Sequence, residues 1–205
     1  KIITVLILLV STITFAQDQY TKGMEKAFAL WGEGKMGEAS NLFERISNAE
    51  MDNWLPYYYV AQINTIISFG EKDKEKLTQQ LEKAQQFLDV AKSISPDNPE
   101  IMVQQAMTHT AWIAYDGATY GMTLSGKVIA LYAAAAEIAP ENPRVVFSKA
   151  EWDMGSAKYF GQDTAPFCKD MERSLELFAN FKPASEFHPN WGEDRAKTMV
   201  ENCKG

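Results

Sequence analysis

The residues of this chain with most chemistry in them are two histidines, two cysteines and one lysine in a glycine-containing stretch. His109 and His188 stand far apart, outside any H-x-x-x-H or C-x-x-C spacing, so no dedicated metal site is expected. His109 falls in mid-helix near Trp112 and reads as a packed imidazole; His188 precedes Pro189 and reads as part of a turn. The stretch "GMTLSGKV", Gly121 to Val128, approaches the phosphate-binding pattern G-x-x-x-x-G-K-[ST]. That pattern works only after a strand, with a hydroxyl following the lysine to hold Mg²⁺. Here Val128 replaces the hydroxyl and the preceding residues read as helix, so a glycine-containing turn between two long helices is expected instead. No nucleophile elbow supports a serine hydrolase. No catalytic residue, metal or cofactor is therefore assigned, and an enzyme is not expected.

Cys168 and Cys203 flank the break "FKPASEFHPNW", and the midpoint between them falls between Ser185 and Glu186, inside that break. Two antiparallel helices joined there bring the cysteines side by side. A structural disulfide is expected, not a redox centre, because no Cys-x-x-Cys is present. The compartment agrees. Residues 1–16, "KIITVLILLVSTITFA", have a basic start, an apolar run and small residues at the −3 and −1 places, the form of a signal peptide. The mature chain is expected to begin at Gln17 and to work in the periplasm or outside the cell, where disulfides persist. The "DTA" at Asp163 has the form of a short O-glycosylation acceptor of some Gram-negative bacteria, although an exposed turn at a helix start accounts for it as well.

The 205 residues are 46% hydrophobic and 23% charged, with a net charge of −7. This is the composition of a globular protein with a real core. The acidic balance argues against nucleic acid and anionic membranes as partners, since both require a basic footprint. Beyond the leader, no later segment is apolar for long enough to enter a bilayer stably.

The elements that position these residues are read from a repeat. "SPDNPEI" begins at Ser95 and "APENPRV" at Ala139. In each, Asn precedes Pro: asparagine suits the N-cap, and proline suits the first helical position, where its missing N–H leaves nothing unpaired. Each copy is a helix–turn–helix joint. Apolar residues recur at three- and four-residue spacing in "MEKAFALW", "LTQQLEKAQQFLDVA", "VIALYAAAAEIA" and "MERSLELF". Nothing alternates with period two, so no sheet is expected. Counted from the joints, Ala27, Ala61, Ala106, Ala150 and Ala196 hold one position, separated by 34, 45, 44 and 46 residues.

This frame resembles the tetratricopeptide repeat, in which small residues stand where two helices touch. "GEGKMGEASNLFERI" is the best-matching stretch. The units run over about 20–53, 54–98, 99–142 and 143–188, with a closing helix over 189–204, in a single domain covering 17–205. Units two to four are longer than the family's, and Val128 and Met171 stand where it usually has alanine. The resemblance implies an all-α fold, a right-handed superhelical stack of antiparallel helix pairs with a closing C-terminal helix. It also implies a concave groove lined by the second, fifth, ninth and twelfth positions of each first helix. Those are Thr21, Glu25, Phe28 and Trp31; Leu55, Tyr58, Gln62 and Thr65; Glu100, Val103, Met107 and Thr110; Arg144, Phe147, Glu151 and Met154. Such a groove docks a peptide or protein, with aromatic and Arg anchors supplying the energy. Two rivals stand beside it: a self-associating envelope protein, and a small-molecule carrier or unrecognised enzyme whose long helices close on Trp112, Tyr115 and Tyr120.

Overall fold

A computed structural model describes residues 18–203 of the chain, so the leader read at residues 1–16 lies outside them. Among the described residues all regular structure is helical: α1 (18–32), α2 (Met36–Ala49), α3 (Trp54–Ser68), α4 (Lys74–Ile94), α5 (Pro99–Tyr115), α6 (Gly117–Ile138), α7 (Pro143–Tyr159), α8 (Cys168–Asn180) and α9 (Glu193–Cys203). A single 3₁₀ turn, Ala165–Phe167, leads into α8. No described helix is long and apolar enough to cross a membrane. The chain divides into two compact units, one ending at Ile94 and the next beginning at Ser95.

Local chemistry sets the helix ends. Gly34 adopts φ +79°, and Gly34 N–H and Lys35 N–H donate back to the carbonyls of Trp31 and Leu30, both at 2.9 Å. This left-handed glycine cap closes α1. Asn53, Asn98 and Asn142 each place Oδ1 on a backbone N–H two residues on, at 3.1, 2.9 and 2.9 Å, and so cap α3, α5 and α7. Asp73 caps α4 through Glu75 N–H and Lys76 N–H, which makes the charged stretch after Gly70 a helix start.

The first unit contains α1 to α4. α3 packs against both α2 and α4. Eleven of its fifteen residues are buried, so it is enclosed around its whole circumference. Phe28 of α1 meets Phe43 of α2 and Tyr59 of α3 edge-on, with centroids 5.2 and 4.7 Å apart, while Phe43 and Tyr59 stack at 5.1 Å. These ring pairs tie three helices together at spacings where aromatic quadrupoles attract.

In the second unit α5 packs along α6, α7 along α8, and α8 along α9. One apolar cluster gathers Val103, Ala106, Val128, Tyr132, Ala135 and Val145. Another gathers Phe147, Ala150, Met171, Phe178, Ala196 and Val200. All five alanines of the repeat frame are buried, as close helix–helix approach requires. The Cys168–Cys203 disulfide joins the first residue of α8 to the last of α9, with Cα atoms 5.9 Å apart.

Two local expectations are corrected. Gly121 to Val128 is not a turn but the interior of α6. Asp116 moves the start of that helix upstream: its Oδ1 accepts from Thr119 N–H at 3.0 Å and its Oδ2 from Thr119 Oγ1 at 2.6 Å. The closing helix begins at Glu193, not near Pro189. The chain first runs past Phe178, so closely that a Cβ on Gly192 would lie 3.0 Å from that ring. Gly192, at φ +110°, then starts α9 by accepting from Ala196 N–H.

Candidate functional site

Two groups of polar and aromatic side chains stand out, both in the second unit. The first grows from the repeated joint itself. The residue after Asn-Pro is Glu100 in one copy and Arg144 in the other, and the two form a bidentate ion pair. Arg144 Nε donates to Glu100 Oε2 at 2.7 Å and Nη2 to Oε1 at 2.6 Å, with both side chains almost fully buried. Asn142, while capping α7, donates from Nδ2 to Glu100 Oε1 at 2.6 Å. His188 Nε2 stands 3.7 Å from the same oxygen, and the Phe181 ring lies 4.3 Å from the guanidinium carbon. The geometry is that of a structural lock: every charge is opposed, and the ring of Phe181 covers the guanidinium.

Burial by itself pushes the Glu100 pKa up, but the bonds from Arg144, His188 and Asn142 outweigh it and hold the carboxyl below its ordinary value of 4.5. A carboxylate depressed in the folded state adds stability above its unfolded pKa and loses it as pH falls through the folded value. His109 is also depressed, by burial first and then by the charge of Lys127, from an ordinary 6.5. Its protonation is resisted only in the folded state, so stability is again lost on acidification. The urea midpoint is therefore expected to hold from pH 8 to 7 and to fall in two stages, below about 6.5 and below about 4.5. His109→Gln should remove the first stage. A midpoint that rises between pH 7 and 5 would contradict the His109 assignment, and one that rises below about 4.5 would contradict that of Glu100.

The sixteen groove positions do not form an open binding face. Leu55, Tyr58, Gln62 and Thr65 are buried in α3, and Glu100, Val103, Arg144 and Phe147 are buried in the second unit. Of the remainder, Glu25 is exposed, and Thr21, Phe28, Trp31, Met107, Thr110, Glu151 and Met154 are half-buried. Most of these serve the chain's own packing. Phe28 and Trp31 stack at 6.3 Å, Thr110 Oγ1 donates to the Ala106 carbonyl, and Glu151 pairs with Arg195 of α9. Met107 and Met154 lie against the two apolar clusters. In the first unit α3 is enclosed by α2 and α4; in the second the physical cause is the segment between α8 and α9. It brings Phe181 and His188 to the Arg144–Glu100 pair, Trp191 to the first cluster, and the backbone of Gly192 to Phe147 and Phe178. The chain itself occupies these positions.

The second group lies at the turn end of the α5–α6 hairpin. From Trp112 to Lys127 no side chain is fully buried, so this end projects from the core. Trp112 of α5 and Tyr120 of α6 meet with centroids 4.9 Å apart and planes inclined by 48°. One turn earlier on α5, half-buried His109 has its Nε2 3.4 Å from Gln105 Nε2. Lys127 of α6 acts on that imidazole by its charge. Tyr115 is half-buried at the last position of α5, and Met122 is almost wholly exposed, at 96%. The arrangement combines aromatic faces, an imidazole kept neutral at neutral pH and one cation. Among the described residues no three His, Cys, Asp or Glu side chains converge as metal ligands do.

No protein-family model matches the chain, and no curated protein matches it. Among solved structures it is similar to the HusA haemophore from Porphyromonas gingivalis. The TM-score is 0.79 and the identity 24%, over 90% of this chain and 92% of that one. The two chains share a fold. The groove-docking function read from the tetratricopeptide resemblance is corrected: half of the positions meant for a peptide are buried, and the solved structure that shares the fold is described as a haemophore.

Proposed function

We propose that this protein is a carrier of a flat, largely apolar small molecule of the haem class, bound at the turn end of the α5–α6 hairpin. The fold shared with a haemophore carries the ligand class. The residues of this chain support the place. A planar macrocycle gains most from an aromatic face, and the large ring of Trp112 offers one where Tyr120 now meets it. Its carboxylates need a cation, which Lys127 supplies within electrostatic reach of His109. His109, with its pKa depressed, keeps a neutral imidazole that accepts a bond at neutral pH. The chain needs only to bind and release; no bond in the ligand is broken. The disulfide supports the reading that the protein works in an oxidising compartment after export. The five buried alanines support reading the helix pairs as tetratricopeptide-like repeats put to this use.

Haemin titrated into the purified protein and followed by absorbance tests the proposal. A saturable spectral change at one equivalent is expected. Trp112→Ala should weaken binding by at least about tenfold, the loss typical of an aromatic anchor. A spectrum no different from haemin in buffer would refute the carrier reading. An unchanged affinity in the variant would move the site elsewhere.

A further inference from the structure

The geometry of the aromatic pair leads to a point about how the proposed site is filled, and it rests on the carrier reading above. Trp112 and Tyr120 are in direct contact, with centroids 4.9 Å apart and planes inclined by 48°. A planar guest lying between two rings needs about 7 Å, twice the ~3.5 Å separation of stacked carbon layers. The pair as it stands admits nothing between its rings. We infer that Tyr120 is a displaceable stand-in for the ligand: it covers the face of Trp112 across the hairpin, and it swings away when a flat aromatic guest takes that face.

The surroundings make the exchange inexpensive. Tyr120 is half-buried, and no side chain between Trp112 and Lys127 is fully enclosed, so its ring moves without opening a core. Its backbone stays in place, because Tyr120 N–H donates to the Asp116 carbonyl at 3.0 Å and Asp116 caps the helix through Thr119. Gly117 and Gly121 flank it, and neither has a neighbour within 4 Å of where a Cβ would stand. Space is therefore open over both glycines, next to Tyr120 on α6. A polar or small aliphatic molecule cannot repay the lost ring contact, whereas an extended π-system can. Tyr120 would thus select for flat aromatic ligands and shield Trp112 from water in their absence.

The inference predicts opposite effects from two substitutions at one position. Tyr120→Ala removes the competitor and should tighten haemin binding about fivefold, the factor corresponding to an aromatic pair of ~1 kcal/mol. Tyr120→Trp strengthens the competitor and should weaken binding by a similar factor. Without ligand, Tyr120→Ala should red-shift tryptophan emission, and that shift should disappear when Trp112 is also replaced by phenylalanine. Circular dichroism and melting curves would confirm that each variant is folded. If Tyr120→Ala binds haemin more weakly than wild type or equally well, while Trp112→Ala is impaired, Tyr120 is a ligand contact or a bystander and the inference fails with the carrier reading intact. If wild type binds no haemin, both fall.

Discussion

Replacing Glu100 by alanine should destabilise the protein by about 3–5 kcal/mol, a large fraction of the ~5–15 kcal/mol that holds a typical domain together. Arg144 is completely buried, and its Nε and Nη2 both donate to Glu100. Without the carboxylate, the guanidinium is left charged in a place that water does not reach. Asn142 Nδ2 loses its acceptor at the same time. The cost comes from stranding a charge and not from the pair's intrinsic worth, because desolvation offsets much of the attraction in a buried ion pair. A double replacement, Glu100→Met with Arg144→Leu, should therefore cost clearly less than Glu100→Ala alone. Urea unfolding of the two variants beside wild type measures this. If the two units unfold separately, the loss should appear in the transition of the unit that begins at Ser95. A Glu100→Ala protein within about 1 kcal/mol of wild type would show that the lock is not closed in solution.

Removing the disulfide is the second large change. Cys168 and Cys203 are 35 residues apart, and a cross-link closing a loop of that length restricts the unfolded chain by about 3–4 kcal/mol. The folded side of the balance depends on it as well. α9 has eleven residues, below the ~12–15 needed for an isolated helix to be even marginal in water. It is held by Ala196 and Val200 in the second apolar cluster and by the bridge at its last residue. Cys168→Ser with Cys203→Ser should thus lower stability by about 3 kcal/mol. It should also open the segment between α8 and α9 to proteolysis, because that segment has no helix of its own and is held by side chains such as Phe181, Phe187, His188 and Trp191. Equal proteolytic resistance in the oxidised and serine forms would mean that those side-chain contacts alone hold the segment down.

Much of the fold was legible in short-range signals. The Asn-Pro joints placed the starts of α5 and α7 because a capping side chain and a ring-fixed φ act within three residues. The five spaced alanines marked close helix contacts, since a larger side chain there would force the helices apart. The disulfide followed from symmetry about a break. The groove was misread for a reason of longer range. Which face of a helix stays open depends on what the rest of the chain lays over it, and no spacing rule describes the path of residues 181–192. A signal was nonetheless present: Glu100 and Arg144 hold the same place in the two copies with opposite charge. Read as a pair, they point to a lock instead of two anchors for a partner. The turn end of the α5–α6 hairpin was legible only in part. Trp112, Tyr115 and Tyr120 were singled out as a rival site, whereas Gly121 to Val128 was read as a glycine-containing turn; each glycine does weaken a helix interior by about 1 kcal/mol. The cap at Asp116 overrides that preference.

The central claim is that a haem-class molecule sits at the turn end of the α5–α6 hairpin. Hydrogen–deuterium exchange of the full chain with and without one equivalent of haemin tests it most directly, since backbone amides near a bound ligand exchange more slowly. The account predicts slowed exchange across peptides spanning 105–127, little change in α8 and α9, and loss of the effect in Trp112→Ala. Protection confined to α7–α9, or none anywhere at saturating haemin, would contradict it.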